Sequence, residues 1–108
     1  MAMYLLQVSY TQPALVALSK KPEDRSAIVG KAIAKLGGTL KSLWISFGDY
    51  DVVGIMEMPD NVSAAAFSVA LGAGGACKAV KTTPLLTIAE GIAAMKMSTK
   101  SGYKAVGR

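Results

Sequence analysis

Residues 3–10 alternate with a period of two, the spacing that places successive side chains on opposite faces of a β-strand. One face is apolar and carries Tyr4, Leu6, Val8 and Tyr10. The opposite face is mixed and carries Leu5, Gln7 and Ser9. The chain is therefore predicted to begin with a strand that has one clearly apolar side.

Two helical segments are predicted after this strand. The first begins at residues 11–13 and reaches residue 18, because proline is tolerated near the first helical position. The second is predicted over residues 22–36, since Pro22 suits a helix start and the carboxylates of Glu23 and Asp24 complement the positive end of the helix dipole. Its apolar stripe consists of Ile28, Val29, Ala32, Ile33 and Leu36, and Gly37-Gly38 ends it.

A β-hairpin is predicted at the centre of the chain, with strands at residues 39–47 and 51–58 joined by the turn Gly48-Asp49-Tyr50. Regular alternation along its first strand predicts one face with Lys41, Leu43, Ile45 and Phe47, and another with Leu40, Ser42, Trp44 and Ser46. The second strand is apolar on both faces, which is typical of a strand covered on both sides.

The remaining elements complete a recurring order. A helix over residues 62–72 follows a cap at Asp60 or Asn61. A fourth strand over residues 76–83 is expected to end before Pro84, which cannot donate to a central ladder. Thr87 and Glu90 form a capping-box pattern for a last helix reaching residue 97. The order predicts an α+β, ferredoxin-like βαββαβ fold with an antiparallel four-stranded sheet and a C-terminal helix.

Such a sheet carries helices on one face only, so its other face needs a cover. Leu5, Leu40 and Trp44 are predicted on that open face. A second copy of the chain is the simplest cover. The hydrophobic fraction of 52% and the mean hydropathy of +0.39 are high for 108 residues and favour the same conclusion. The sequence therefore predicts a homo-oligomer, most simply a dimer, that associates through the open sheet face.

Composition narrows the classes of site. The chain has no histidine and a single cysteine, Cys77, so the usual zinc, copper and haem ligands are missing and no metal or cofactor is expected. The absence of histidine also argues against a hydrolase triad. No apolar run approaches the length of about 20 residues that crosses a bilayer, and the first residues have no charged leader region. The expectation is a cytoplasmic protein with no membrane contact.

The net charge of +5 is unevenly placed. Residues 1–97 carry nine Lys or Arg against seven Asp or Glu, and Lys100, Lys104 and Arg108 supply the rest. Because this distribution gives no contiguous basic face, it argues against nucleic-acid binding. It predicts one domain over residues 1–97 and a flexible basic tail over residues 98–108.

The central turn is the candidate site. In a structural interpretation Gly48 permits a positive φ and an aspartate bonds nearby turn amides. In a functional one Tyr50 donates a hydrogen bond and Asp51 orients a polar ligand, or acts as a base, at the mouth of a cavity. The candidate ligand-binding set is Tyr4, Gln7, Trp44, Tyr50 and Asp51. A small-molecule binding protein, a cofactor-free enzyme and a non-catalytic assembly module all remain open, so the sequence does not decide whether the protein is an enzyme.

Six motifs in the right order resemble the GYD domain family, which is named for the Gly, Tyr and Asp of the central turn. They are Ser9-Tyr10-Thr11, Pro22-Glu23-Asp24-Arg25, Leu36-Gly37-Gly38, Phe47-Gly48-Asp49-Tyr50-Asp51-Val52-Val53, Pro59-Asp60-Asn61 and Lys81-Thr82-Thr83-Pro84-Leu85-Leu86-Thr87. The resemblance covers residues 3–97. It implies a small bacterial protein with a ferredoxin-like fold similar to the dimeric α+β barrels, which include cofactor-free monooxygenases and isomerases. It implies no list of catalytic residues.

Overall fold

Four strands form one antiparallel sheet in the computed structural model, which describes residues 1–107. The strands are β1 (Ala2–Tyr10), β2 (Thr39–Ile45), β3 (Val52–Met58) and β4 (Cys77–Leu85), in the spatial order β2-β3-β1-β4. The helices are α1 (Gln12–Lys20), α2 (Ser26–Lys35), α3 (Asn61–Ala73) and α4 (Ile88–Ser98). The predicted α+β, ferredoxin-like order with a C-terminal helix is confirmed.

The core lies between one face of the sheet and the helices α2 and α3. Its buried apolar side chains are Tyr4, Leu6, Val8, Ile33, Met56, Met58, Ala64 and Phe67. The apolar face predicted for β1 therefore faces the helices. Gly38 allows the connection from α2 to β2 to pass close to the end of β3, since a Cβ there would lie 2.5 Å from the carbonyl oxygen of Glu57.

A β-bulge in β2 corrects the predicted faces of that strand. Leu40 lies opposite Met56, but the next paired residue is Ser42, opposite Ile55, so Lys41 is an extra residue. The prediction that Leu40 shares a face with Trp44 is wrong, because the bulge reverses the alternation between them. Leu40 packs against the core, whereas Ser42 and Trp44 lie on the open face.

Four element boundaries also differ from the predictions. α1 continues to Lys20, two residues past its predicted end. β2 ends at Ile45, two residues early. β4 continues through Pro84 to Leu85, and this is tolerated because β4 is an edge strand. α2 begins at Ser26 rather than at residue 22. The Asp24 carboxylate accepts a hydrogen bond from the Ser26 amide at 2.9 Å, so residues 22–25 remain outside the helix.

α4 extends from the body with an apolar stripe uncovered. Thr87 and Glu90 form the predicted capping box at its start. No residue of α4, which the structure describes completely, is buried, and Ile88 and Met95 are 82% and 70% exposed. The radius of gyration is 17.2 Å, whereas a compact chain of this length has about 13 Å.

Residues 99–107 form neither helix nor strand, and Arg108, the last residue of the predicted tail, lies outside the described residues.

Candidate functional site

A cleft of about 840 Å³ opens between α1, the connection to α2, and the ends of β2 and β3. Most of its wall is apolar: Leu15, Leu18, Pro22, Val29, Leu43, Trp44, Ile45 and Val52. Its polar lining includes Tyr10, Glu23, Asp24, Arg25, Ser46 and Asp51. Apolar walls with a few polar groups, at a volume within the usual range of about 300–1,000 Å³, are typical of small-molecule sites.

One wall of the cleft depends on where the two helices begin and end. The hydroxyl of Thr11 accepts the Ala14 amide at 3.3 Å and caps α1, which presents Leu15 to the cleft. Because α2 begins only at Ser26, the segment Pro22 to Arg25 is free to lie along the opening. Arg25 is paired there with Glu23, with Nη1 and Oε1 2.8 Å apart.

Asp51, which lines the cleft, uses its carboxylate as a hydrogen-bond acceptor in place of a backbone carbonyl at the end of the sheet. β3 pairs with β1 only as far as Val8, opposite Val52, and the Asp51 amide donates to the Val8 carbonyl at 2.8 Å. Beyond that point the Asp51 Oδ2 atom accepts the amide of Tyr10 at 2.8 Å. The Asp51 side chain therefore supplies the acceptor that the backbone of β3 would supply if its pairing with β1 continued.

The rest of the central turn is also fixed by hydrogen bonds. The Ser9 hydroxyl, which is buried, donates to the Asp49 carbonyl at 2.7 Å, and the Ser46 hydroxyl donates to the Tyr50 carbonyl at 2.7 Å. Gly48 has a φ of 126°, which only glycine adopts without strain. These contacts favour the structural interpretation of Gly48 and of the turn as a whole.

Tyr10 and Cys77 lie near the charged groups of the cleft and remain protonated. The pKa of the Tyr10 phenol is raised above its usual value, mainly by burial and also by Cys77, Asp51 and Glu23, while Arg25 opposes the rise. Burial likewise raises the pKa of the Cys77 thiol against the opposing charge of Arg25. Near neutral pH Tyr10 is therefore a hydrogen-bond donor rather than a base, and Cys77 is a poor nucleophile.

The structure brings two of the five predicted site residues into the cleft, Trp44 and Asp51. Trp44 is 68% exposed on the edge strand β2, at the border between the open face of the sheet and the cleft. Tyr4 is buried in the core, where its hydroxyl donates to the Asn61 Oδ1 atom at 2.6 Å. Gln7 lies opposite Val53 and Lys81 on the open face of the sheet, and Tyr50 lies outside the lining of the cleft.

The sequence analysis did not identify Tyr10 and Arg25 as site residues. Tyr10 ends the apolar face of β1, and a polar-tipped side chain at the end of a buried face was the available signal. Arg25 was assigned to the first turn of a helix, although it precedes that helix.

Among the described residues no group of three or more His, Cys, Asp or Glu side chains could hold a metal ion. Within residues 1–107 no helix has both the length and the apolar character needed to cross a membrane.

A comparison with protein families gives a match over most of the chain. The family model described as GYD domain matches residues 4–95. The match includes both walls of the cleft and the central turn, and it confirms the resemblance that the six motifs indicated. No curated protein matches the chain.

Proposed function

The chain belongs to the GYD domain family, and we propose that it is a homo-oligomeric protein that binds a small amphipathic molecule in the cleft. The observation that carries this proposal is the cleft of about 840 Å³, whose walls are mostly apolar and whose lining includes the polar groups of Tyr10, Arg25 and Asp51. Apolar walls bind a hydrocarbon group, and a few polar atoms fix its orientation.

Binding is favoured over catalysis by the state of the reactive groups. The raised pKa values of Tyr10 and Cys77 keep both side chains protonated, so neither serves as a base or a nucleophile near neutral pH. The carboxylate of Asp51 already accepts the Tyr10 amide. A ligand site needs only a hydrogen-bond donor and a cation, which the Tyr10 hydroxyl and Arg25 supply.

A charge placed in the apolar wall should weaken binding. Leu15 lines the cleft and is 42% exposed, so Leu15→Glu should fold normally and put a carboxylate where an apolar group binds. Quenching of Trp44, the single tryptophan, by para-nitrophenol at mildly acidic pH, where this phenol is uncharged, reports occupancy of the cleft. We expect saturable quenching in the wild type and a dissociation constant about tenfold higher in Leu15→Glu, equivalent to about 1.4 kcal/mol.

The matched control for this experiment is Val16→Glu. Val16 lies on the same helix with a similar exposure of 45%, but outside the cleft lining. Its variant should bind the probe like the wild type. Quenching that rises linearly without saturation, or an equal loss in both variants, would show that the cleft is not a binding site.

The homo-oligomeric part of the proposal rests on the open face of the sheet. Strand register places Leu5, Val53 and Ile55 in the middle of this face, with Trp44 beside them on β2. Charged side chains lie toward its edges, including Lys81 on β4. An apolar centre with a polar rim is the usual pattern of a subunit interface. A second copy could cover this face by symmetric packing of sheet on sheet.

Replacing Trp44 by a charged residue should weaken self-association. Loss of an aromatic side chain from an interface commonly costs about 2 kcal/mol or more where that side chain is a hot spot, so Trp44→Glu should raise the dissociation constant at least about tenfold. Lys35→Glu, on an exposed part of α2, is the control. Sedimentation velocity at micromolar concentration measures both. A wild-type protein that sediments only as an 11.2 kDa species would exclude the oligomer.

A further inference from the structure

A second cavity of about 240 Å³, called the inner cavity here, adjoins the cleft and lies beneath the C-terminal half of α3. The two cavities share one set of lining residues, called the seam here: Tyr10, Arg25, Val29, Leu43 and Val52. Because the same side chains line both spaces, the seam is where the outer cleft meets the inner cavity.

The inner cavity is lined mainly by carbon. Beyond the seam its walls include Leu6 and Val8 of β1, Phe67 and Leu71 of α3, and Cys77 at the start of β4. Its volume corresponds to about eight water molecules at the share of volume that each has in the liquid. Water in such a space would find few hydrogen-bond partners, so a hydrocarbon group suits it better.

The polar groups of the site are concentrated at the seam and beside it. The Tyr10 hydroxyl and the Arg25 guanidinium are donors, and Asp51, whose carboxylate accepts the Tyr10 amide, also lines the outer cleft. Arg25 is paired with Glu23 at 2.8 Å, so its charge is largely balanced. An anionic head group would face Asp51 and Glu23, and a cationic one would face Arg25. The oxygen of an uncharged head group accepts hydrogen bonds from Tyr10 and Arg25 and is repelled by neither the carboxylates nor the guanidinium.

We propose that the outer cleft and the inner cavity form one two-part site for an uncharged amphipathic molecule. Its hydrocarbon end, a short chain or a single ring, occupies the inner cavity, and its hydroxyl or carbonyl oxygen lies at the seam. This inference rests on the proposed function and adds to it the class of ligand and the direction in which it lies.

The chain contains a separate reporter for each part of the site. Trp44, its single tryptophan, lines the outer cleft and lies outside the lining of the inner cavity. Cys77, its single cysteine, lines the inner cavity and lies outside the lining of the outer cleft. Displacement of para-nitrophenol from Trp44 therefore measures occupancy of the outer part. Protection of Cys77 from iodoacetamide at mildly alkaline pH measures occupancy of the inner part.

The test uses octanol, octanoate and octylammonium, which share one chain and differ in the charge of the head group. Octanol at ten times its dissociation constant should slow alkylation of Cys77 about tenfold, as expected for a single protecting site. Octanol should also displace para-nitrophenol from Trp44, because its head group at the seam occupies part of the outer cleft. Each charged analogue should bind at least about tenfold more weakly than octanol, since each meets a like charge near the seam.

Variants at the mouth of the inner cavity separate the two parts. Ala70→Phe, at an exposed rim position of α3, should abolish protection of Cys77 by octanol and leave quenching of Trp44 by para-nitrophenol unchanged. Gly74→Leu tests the same rim if Ala70→Phe folds poorly, because Gly74 has a helical φ of −69°. Ala65→Phe is the control, because Ala65 is exposed, lies outside the lining of both cavities and is five residues from Ala70, on a different face of α3.

The outcomes distinguish this inference from the proposed function. Displacement of para-nitrophenol by octanol without protection of Cys77 would overturn the two-part site and leave the cleft as a binding site. Protection that persists in both rim variants would overturn it as well. Tighter binding of octanoate or octylammonium than of octanol would overturn the uncharged class of ligand. If para-nitrophenol shows no saturable quenching in the wild type, the proposed function itself fails.

Discussion

Replacing Phe67 with alanine is expected to lower the free energy of unfolding by about 3–5 kcal/mol, the usual cost of removing a buried aromatic ring. Phe67 is only 2% exposed and belongs to the core cluster that α3 forms with the sheet. It also lines the inner cavity, together with the core residues Leu6 and Val8. The variant loses the contacts of the ring and leaves a larger void, and both effects destabilise the fold.

Urea denaturation of Phe67→Ala and Val69→Ala measures this effect. Val69 lies on the same helix but is 69% exposed, so its variant should differ from the wild type by less than about 0.5 kcal/mol. Because Phe67→Ala enlarges the inner cavity, decanol should raise its melting temperature more than that of the wild type. A loss below about 1 kcal/mol would show that neighbouring side chains collapse into the space and that α3 is less firmly packed than its burial indicates.

Much of the fold could be predicted because local signals and tertiary packing agree. The alternation along β1 matches the buried face of the sheet, and the capping box at Thr87 and Glu90 starts α4. Asp60, one of two predicted caps, starts α3 by accepting the Ser63 amide at 2.8 Å. In these segments each residue has one favourable environment, so the period alone indicates which side faces the core.

The errors come from single residues that break a period. The extra residue Lys41 reverses the faces of β2, and no local pattern of charge or size marks a bulge at that position. Pro84 was placed outside β4 because a central ladder excludes proline, but the position of β4 at the edge of the sheet is a property of the whole topology. The spacing of apolar residues in the sequence therefore reveals neither the bulge in β2 nor the edge position of β4.

The candidate site was predictable only in part for a related reason. Asp51 and Trp44 were proposed from the central hairpin, and both line the cleft. The opposite wall is built from α1 and the segment before α2, which are distant in sequence from that hairpin. Arg25 and Tyr10 come together only in the folded chain, where both line the outer cleft and the inner cavity. Their role in the seam depends on tertiary distance and burial, which residue type does not indicate.

Replacing Asp51 with alanine is expected to destabilise the protein by about 1.5–3 kcal/mol, the usual contribution of a hydrogen bond to a charged group. The carboxylate accepts the Tyr10 amide at 2.8 Å, beyond the last β1 residue that pairs with β3. Alanine leaves this amide without its acceptor where β1 passes from the sheet toward α1. Asp51→Asn keeps an amide oxygen as a neutral acceptor and should lose about half as much, because charged hydrogen bonds are roughly twice as strong.

Asp49→Ala, in the same loop, is the matched control for this effect. Asp49 contributes its backbone carbonyl to the Ser9 hydroxyl and exposes its side chain, so removing the carboxylate should change stability by less than about 0.5 kcal/mol. Urea denaturation compares all three variants with the wild type. If Asp51→Ala and Asp49→Ala unfold at the same urea concentration, the Tyr10 amide is satisfied without the carboxylate. Asp51 would then be free to bind a ligand, and the functional interpretation of the turn would replace the structural one.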